Sequence, residues 1–389
     1  MDYKKYLSAD TGSFMRSPVR EIFRKVDLNS IYSFAGGYPS AETFPLETIE
    51  RLSAEVLHKY GAKALQYGAT QGVPELREAI SKRYDVPVEN IQITTSSQQG
   101  IDVCTRVLVD PGDVVLTTNP TYLGALQSFK SYRAEVVGVD LAPSLEAARS
   151  RQRQIDDLLA EGRRIKFFYA IPDFQNPSGQ TMTLAQRSEL VALARKYDFL
   201  IVEDSPYREL RYEGEPVATI YSLAPERTLH LGSFSKIMAP GFRLGWIIGA
   251  PELLDQIYVC KQALDLCPPI MDQYMAAEFM AGGELDKNLA HTIELYRGKR
   301  DHLLGLLEKY MPAGVSWTHP EGGLFLFVTL PENFDTVALY DRALAAGVAY
   351  VAGSFFYVDG SHKNTMRLNF SFLDTERMEP GIKLLASLL

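Results

Sequence analysis

Side chains that can do chemistry gather around one lysine in the segment SFSKIMAPGFRLGW, residues 233–246. Ser233 and Ser235 precede Lys236, and Arg243 follows it. Hydroxyl groups and the forked guanidinium group suit the oxygens of a phosphate. The lysine amine suits a second task, which is to hold a carbonyl group as an imine. The segment alone is also compatible with a solvated loop that carries an ordinary surface lysine.

The residues before this segment, RTLHLG, are typical of a short buried strand, so Lys236 lies just past a strand end. In α/β folds the chemistry sits at the carboxyl ends of the strands. The segments IPDFQNPSG, EDSPYREL and NPTYLGA also follow apolar, strand-like runs. Asn-Pro and Asp-Ser-Pro are common in turns, so each segment alone is a weak signal. Together they offer an amide, a carboxylate and two phenols at the same sheet edge: Asn176, Asp204, Tyr207 and Tyr122.

Strand-like and helix-like patterns alternate from about residue 45 to residue 275. The runs VVLTT, IKFFYAI, FLIVED and TLHLG are short, apolar and partly β-branched. Between two of them, TLAQRSELVALARKYD repeats with a period of about 3.6 residues, as a helix does. This alternation predicts an α/β fold with a mostly parallel central sheet and helices on both faces. Long helical patterns follow over residues 251–310, with a break near Cys267–Pro269.

The C-terminal part of the chain has a different pattern. GLFLFVTLP and TMRLNFSF predict strands, VALYDRALAAG between them predicts a helix, and RMEPGIKLLASLL predicts a final helix. This order is typical of a smaller α+β domain. We therefore expect an arm and link over residues 1–44 that joins the small domain, a large domain over 45–275 and the small domain over 276–389. Within the arm, SPVREIFRKV predicts a short helix.

The composition excludes several classes of function. Apolar residues make up 46% of the chain and charged residues 23%, as in ordinary globular enzymes. The net charge of −8 argues against a general nucleic-acid-binding protein, which would carry a basic surface. The N-terminus MDYKKYLSAD has no apolar signal region, and no apolar run is long enough to cross a membrane.

The numbers and spacing of cysteines and histidines agree with the interpretation of the chain as an ordinary globular enzyme. The three cysteines form no CxxC pair and are odd in number, which fits reduced thiols in the cytoplasm. None of the six histidines forms an HxH or HxxxH pair, so we expect no metal site. We expect a cytoplasmic enzyme that binds small molecules, and neither nucleic acid nor membranes.

The motifs SFAGG, LQY, SQQ, NPTY, QNPSG, EDSPYREL and SFSKIMAPGFRLGW follow one another along the chain. In this order and spacing, from about residue 17 to the end, the chain resembles the class I/II aminotransferases. These are fold-type I enzymes that depend on pyridoxal phosphate (PLP). The chain is most similar to the branch of the 2-aminoadipate and kynurenine aminotransferases. The resemblance implies PLP as the cofactor and a fold-type I architecture.

The resemblance also implies roles around the PLP ring. Lys236 would hold PLP as an imine and then act as the base that moves the α-proton of the substrate. Asp204 would face the pyridine nitrogen and keep it protonated, which makes the ring an electron sink. Tyr122 would stack on the ring, while Asn176 and Tyr207 would hydrogen-bond its phenolic oxygen.

The resemblance also implies a binding site for the phosphate group of PLP. Relatives commonly carry glycine where this chain has Ser96, and the following residues would open a helix whose amides suit an anion. Tyr67 matches a tyrosine that reaches the phosphate of the neighbouring subunit, which implies a homodimer with shared active sites. The residues implied for this phosphate-binding site within one chain are Ser96, Ser97, Gln98, Ser233, Ser235 and Arg243.

The substrate side of the site is implied by residues at both ends of the chain. Arg367, expected at the start of the last strand, would clamp the substrate α-carboxylate, with Asn176 beside it. Gly37 would let the backbone approach the substrate closely. Arg20 matches an arginine of an N-terminal helix that relatives use near the substrate side chain.

The leading hypothesis is an aminotransferase that moves an amino group from an L-amino acid to a 2-oxo acid, chiefly 2-oxoglutarate, in a ping-pong cycle. The donor stays open among aromatic, 2-aminoadipate-like and long-chain or branched amino acids. A β-eliminating lyase, a racemase or a decarboxylation-coupled transaminase would use the same residues, because the cofactor carries the chemistry. An aminotransferase-like regulatory domain is a further alternative. We expect no DNA-binding head, because the aminotransferase-like region starts within the first 20 residues.

Overall fold

The computed structural model describes residues 1–8, 11–12 and 30–389. The helix expected for SPVREIFRKV lies outside these residues, as does Arg20. The strands are β1 (Tyr32–Ser33), β2 (Ile91–Thr94), β3 (Val114–Thr118), β4 (Glu135–Val139), β5 (Ile165–Ala170), β6 (Leu200–Asp204), β7 (Thr228–Ser233), β8 (Gly245–Ile248), β9 (Ser316–Trp317), β10 (Phe325–Thr329), β11 (Val348–Ala349), β12 (Val351–Ala352) and β13 (Thr365–Asn369).

The α-helices lie between these strands and at the C-terminal end of the chain. They are α1 (Leu46–Tyr60), α2 (Pro74–Tyr84), α3 (Ser96–Leu108), α4 (Leu123–Ser131), α5 (Leu145–Ala160), α6 (Leu184–Tyr197), α7 (Ile220–Leu223), α8 (Pro251–Gln262), α9 (Ile270–Ala281), α10 (Glu284–Tyr310), α11 (Thr336–Ala346) and α12 (Thr375–Ala386). The helices expected from TLAQRSELVALARKYD, VALYDRALAAG and the C-terminal segment are confirmed as α6, α11 and α12. The predicted break near Cys267–Pro269 is confirmed between α8 and α9.

The largest sheet has seven strands in the order β2-β8-β7-β6-β5-β3-β4. Only β8 runs antiparallel to its neighbours, and every other adjacent pair is parallel, which confirms the expected mostly parallel sheet. Strands β2, β5, β6 and β7 therefore end at the same edge. Because β8 returns beside β7, Ser233 at the end of β7 lies opposite Gly245.

Both faces of this sheet are covered. Alternate residues of a strand point to opposite faces, and on β6 Ile201 and Val202 belong to two different buried apolar clusters. On β5, Phe167 belongs to the same cluster as Val202, and Phe168 belongs to the same cluster as Ile201. Burial on both faces explains the nearly continuous apolar runs in the sequence. The expected covering of both faces is confirmed.

A smaller antiparallel sheet has the order β12-β13-β10-β9, and β1 pairs with β11 in parallel. Arg367 lies opposite Phe327 of β10 and Val351 of β12. It is the third residue of β13, so the expectation that it begins this strand is wrong by two positions. Its place inside a fully buried strand is what makes it an inward-facing cation.

Strands β2, β4 and β8 are not predicted by the sequence patterns, because β2 and β8 have only four residues each and β4 is only partly buried. Within the part of the chain that the structure describes, no helix is both long enough and apolar enough to cross a bilayer.

Candidate active site

A cavity of about 860 Å³ lies between the carboxyl edge of the large sheet and strands β10 and β13. Sequence segments far apart in the chain meet there, in part because the parallel strands end at a common edge. The structure brings together on its wall the following residues expected from the sequence: Gly37, Ser96, Ser97, Gln98, Tyr122, Asn176, Asp204, Tyr207, Ser233, Ser235, Lys236, Arg243 and Arg367.

Asp204 is the last residue of β6 and is 2% exposed. Its Oδ2 accepts a hydrogen bond of 2.6 Å from the phenol of Tyr169 on β5. Its Oδ1 is buried and has no hydrogen-bond partner among the described residues. Burial raises the pKa of Asp204 to about 6, against the lowering effects of the Tyr169 hydrogen bond and of His230. A buried acceptor without a donor, on a cavity wall, fits a protonated ring nitrogen.

Lys236 ends a short 3₁₀ turn, Phe234–Lys236, that follows directly on β7. Its Nζ donates to the carbonyl oxygen of Gly37 at 2.9 Å. Burial, together with the nearby cations Arg243 and Arg367, lowers the pKa of Lys236 to about 8. A substantial share of this amine is therefore neutral slightly above neutral pH, as a nucleophile or base requires.

A corner that suits an anion forms where α3 begins beside β8. A Cβ at Gly245 would lie 2.7 Å from the Ser96 carbonyl carbon and the Ser97 nitrogen, so glycine lets the helix end approach the strand. Arg243 Nη2 donates to Ser96 Oγ at 2.6 Å. Ser96 has a φ of +67°, a conformation that favours glycine. Ser235 N donates to Ser233 Oγ at 3.1 Å.

Arg367 is buried, and its hydrogen-bond acceptors among the described residues are a side-chain amide and a backbone carbonyl rather than a carboxylate. Its Nη1 donates to Asn176 Oδ1 at 2.8 Å and its Nη2 to the Ala35 carbonyl at 2.6 Å. Its guanidinium lies 4.2 Å from the ring centre of Phe325 and 5.1 Å from that of Phe356. Burial lowers the pKa of Arg367 to about 10, so it stays charged at neutral pH and attracts an anionic group.

Two phenols have different surroundings. Tyr122 is half-buried, and its hydroxyl donates to Gln98 Oε1 at 3.2 Å. Burial, as the largest effect, raises the pKa of Tyr207. Tyr207 therefore keeps its proton and acts as a hydrogen-bond donor at the cavity wall.

Two further residues expected from the sequence are not tested by this cavity, since Tyr67 was expected at the site of the neighbouring subunit. Tyr67 is 79% exposed and does not line this cavity. Arg20 lies outside the residues that the structure describes.

The sequence reasoning missed other residues at the site. The alternation along β5 could have indicated Tyr169, since it faces the same side as its paired neighbour Val202 and as Asp204. The apolar part of the cavity wall carries no local signal, because segments far apart in the chain assemble it. This part includes Tyr38, Leu123, Leu264, Phe325 and Phe356.

The match to known proteins extends over almost the whole chain. The family model for aminotransferase class I and II matches residues 35–385. The aromatic-amino-acid aminotransferase 1 of Thermococcus litoralis is 45% identical over 99% of this chain and 94% of its own length. The 2-aminoadipate transaminase of Thermus thermophilus is 33% identical, covering 100% of this chain and 98% of its own length.

Solved structures agree. The Pyrococcus horikoshii kynurenine aminotransferase, solved with PMP and with kynurenine as substrate, is 42% identical and superposes with a TM-score of 0.94 over 100% of this chain and 97% of that chain. The chain therefore belongs to the class I and II aminotransferases.

Proposed function

We propose that this aminotransferase uses PLP to move the amino group of aromatic or other large apolar L-amino acids to a 2-oxo acid. One observation carries the proposal. A single cavity holds a partly neutral lysine, a buried carboxylate oxygen without a donor, and a buried arginine without a carboxylate partner among the described residues. The known structures that carry PMP or a phosphopyridoxyl-leucine adduct support the cofactor. When bound, PLP supplies an electron sink for charge that develops on the substrate α-carbon.

Asp204 and Lys236 have complementary tasks. The Oδ1 atom of Asp204 would accept a hydrogen bond from the protonated ring nitrogen. The hydrogen bond from Tyr169 would hold the other carboxylate oxygen in place. Lys236 Nζ would carry the cofactor and, when released, would take the proton from the substrate α-carbon and deliver it to carbon C4′ of the cofactor. Its pKa of about 8 suits a group that accepts and donates a proton in one cycle.

The phosphate group would occupy the corner at the start of α3. Arg243 supplies a cation there, and the start of α3 supplies unpaired backbone N–H groups. Tyr122 would stack on the ring, with Tyr207 and Asn176 as donors to its phenolic oxygen. The residues proposed to hold the phosphate group are Ser96, Ser97, Gln98, Ser233, Ser235 and Arg243.

Arg367 would clamp the α-carboxylate of every substrate, with Asn176 fixed against it. Gly37 places its carbonyl beside Lys236, and a Cβ at Gly37 would approach the Phe325 ring to 3.2 Å. The side-chain end of the cavity would accept aromatic and aliphatic groups, because Leu123, Leu264 and Phe356 line it. Among the described lining residues, the lysine and arginines are Lys236, Arg243 and Arg367.

These three cations already have tasks, so a distal carboxylate needs another partner. Arg20 is proposed for that task, with 2-oxoglutarate as the acceptor. The aromatic donors are supported by the names of the Thermococcus and Pyrococcus relatives. The name of the Thermus relative supports 2-aminoadipate as a further donor.

We also propose a homodimer in which Tyr67 contacts the phosphate group of the neighbouring subunit. Tyr67 does not line the cavity of its own chain, and the apolar residues Leu65 and Leu266 are 72% and 47% exposed. The division into residues 1–44, 45–275 and 276–389 and a cytoplasmic location remain predictions.

Two measurements test the proposed function. A panel of amino donors with 2-oxoglutarate as acceptor should yield glutamate, fastest with aromatic or large apolar donors. Reduction of the yellow holoenzyme with borohydride, followed by peptide mapping, should place the pyridoxyl label on Lys236. A label on another lysine, or release of ammonia without glutamate, would contradict the proposal.

A further inference from the structure

An ion pair between a buried lysine and a half-buried aspartate lies directly behind the start of helix α3. Lys261 of α8 is 0% exposed, and its Nζ pairs with Oδ1 of Asp265. The other carboxylate oxygen, Oδ2, accepts from Thr95 Oγ1 at 2.8 Å and from Gln99 Nε2 at 2.7 Å. Neither Lys261 nor Asp265 lines the active-site cavity.

These contacts close a ring around the first turn of α3. Thr95 N donates to Gln99 Oε1 at 2.8 Å, so the residue before the helix is bonded through both its nitrogen and its hydroxyl. The Thr95 side chain does not cap its own helix, since its hydroxyl is committed to Asp265. On the cavity side, the next residue, Ser96, is held by Arg243. The N-terminal end of α3 is thus held by Arg243 on the cavity side and by Asp265 on the opposite side.

The charges explain why a carboxylate can stand so near a site for an anion. An isolated aspartate there would repel a phosphate group, whereas the buried ammonium of Lys261 balances its charge. Burial opposes the charge of Asp265, but the hydrogen bonds from Lys261, Gln99 and Thr95 lower its pKa overall. Asp265 is therefore a fixed, charged acceptor.

We propose that Asp265, neutralised by Lys261, is a positioning residue for the cofactor phosphate, acting through Thr95 and Gln99 on the backbone N–H groups at the start of α3. The inference rests on the proposed binding of PLP. Its consequence is specific: loss of Asp265 weakens the contribution of the phosphate group to binding and leaves the contribution of the ring unchanged.

The test compares PLP with pyridoxal, which has the same ring and aldehyde but no phosphate group. The dissociation constants of both are measured by absorbance or fluorescence titration of the apoprotein. In Asp265→Asn we expect the constant for PLP to rise about tenfold, with the constant for pyridoxal unchanged. The matched control is Asp113→Asn, since Asp113 is likewise ion-paired, to Arg164 and Lys166, and does not line the cavity.

A second variant guards against unfolding, because Asp265→Asn leaves Lys261 buried without its partner. Thr95→Val removes only the hydroxyl contact to Asp265 and keeps the side-chain shape. We expect it to weaken PLP about threefold and pyridoxal not at all. Equal losses for the two ligands, or no loss for either in folded protein, would overturn the inference. Wild-type protein that fails to bind PLP would instead contradict the proposed function.

Discussion

Removal of the Tyr169 hydroxyl tests how Asp204 is kept charged. Tyr169→Phe deletes one hydrogen bond, of 2.6 Å to Asp204 Oδ2, and leaves the buried ring in place. A hydrogen bond to a charged group contributes about 1.5–3 kcal/mol. Since one pKa unit corresponds to about 1.4 kcal/mol, the pKa of Asp204 should rise by about one to two units.

The direction of the effect on activity follows from the charge that Asp204 must carry. The carboxylate works in its ionised form, so activity falls as the pH drops through its pKa. Without the Tyr169 hydrogen bond that pKa is higher, because burial raises it and one of the groups that lower it is lost. The acid limb of the profile of kcat/KM against pH should therefore move to higher pH by about one to two units. The loss should shrink at alkaline pH.

The assay is kcat/KM for one aromatic donor between about pH 5 and pH 9, on enzyme saturated with cofactor. Tyr350→Phe is the matched control, because Tyr350 is also buried and donates a hydrogen bond of 2.6 Å, but to the Thr336 carbonyl away from the cavity. It should leave the profile in place. An unchanged profile in Tyr169→Phe, or an equal shift in the control, would refute the reasoning.

Three further predictions concern substrates and assembly. Arg367→Ala should lower kcat/KM for all donors and acceptors together by about ten- to hundredfold, since every substrate carries an α-carboxylate, and selective loss for one substrate would contradict the clamp. Arg20→Ala should lower kcat/KM about ten- to hundredfold for 2-oxoglutarate while sparing an uncharged 2-oxo acid, and equal losses for both acceptors would contradict its proposed role. Mixed dimers of Lys236→Ala and Tyr67→Phe should contain one site with both lesions and one with neither. If the active site of these dimers behaves like that of Tyr67→Phe, the shared-site proposal is wrong.

The architecture could be predicted to a large extent because it leaves periodic traces in the chain. Strands buried on both faces require continuous apolar runs, and the runs at β3, β5, β6 and β7 are visible for that reason. The edge strand β4 is only partly buried and the strands β2 and β8 are short, so their patterns are weak. Their places in the sheet follow from pairing, which no local pattern encodes.

The sequence by itself determined which side chains stand at strand ends, and this indicated Lys236 and Asp204 as the proposed chemical centre. Turns and strand ends are local, so residue type and spacing along the chain are sufficient to indicate them. The family motifs added the phosphate corner around Arg243 on the same local basis.

Only the tertiary structure decided the partners of these groups. Gly37 lies against Lys236, Asn176 against Arg367, and Asp265 behind the start of α3, each across a large separation in the chain. The lowered pKa of Lys236 and the raised pKa of Asp204 arise mainly from burial. Burial and long-range hydrogen bonds depend on how distant segments pack together, and a single sequence records each segment without its neighbours.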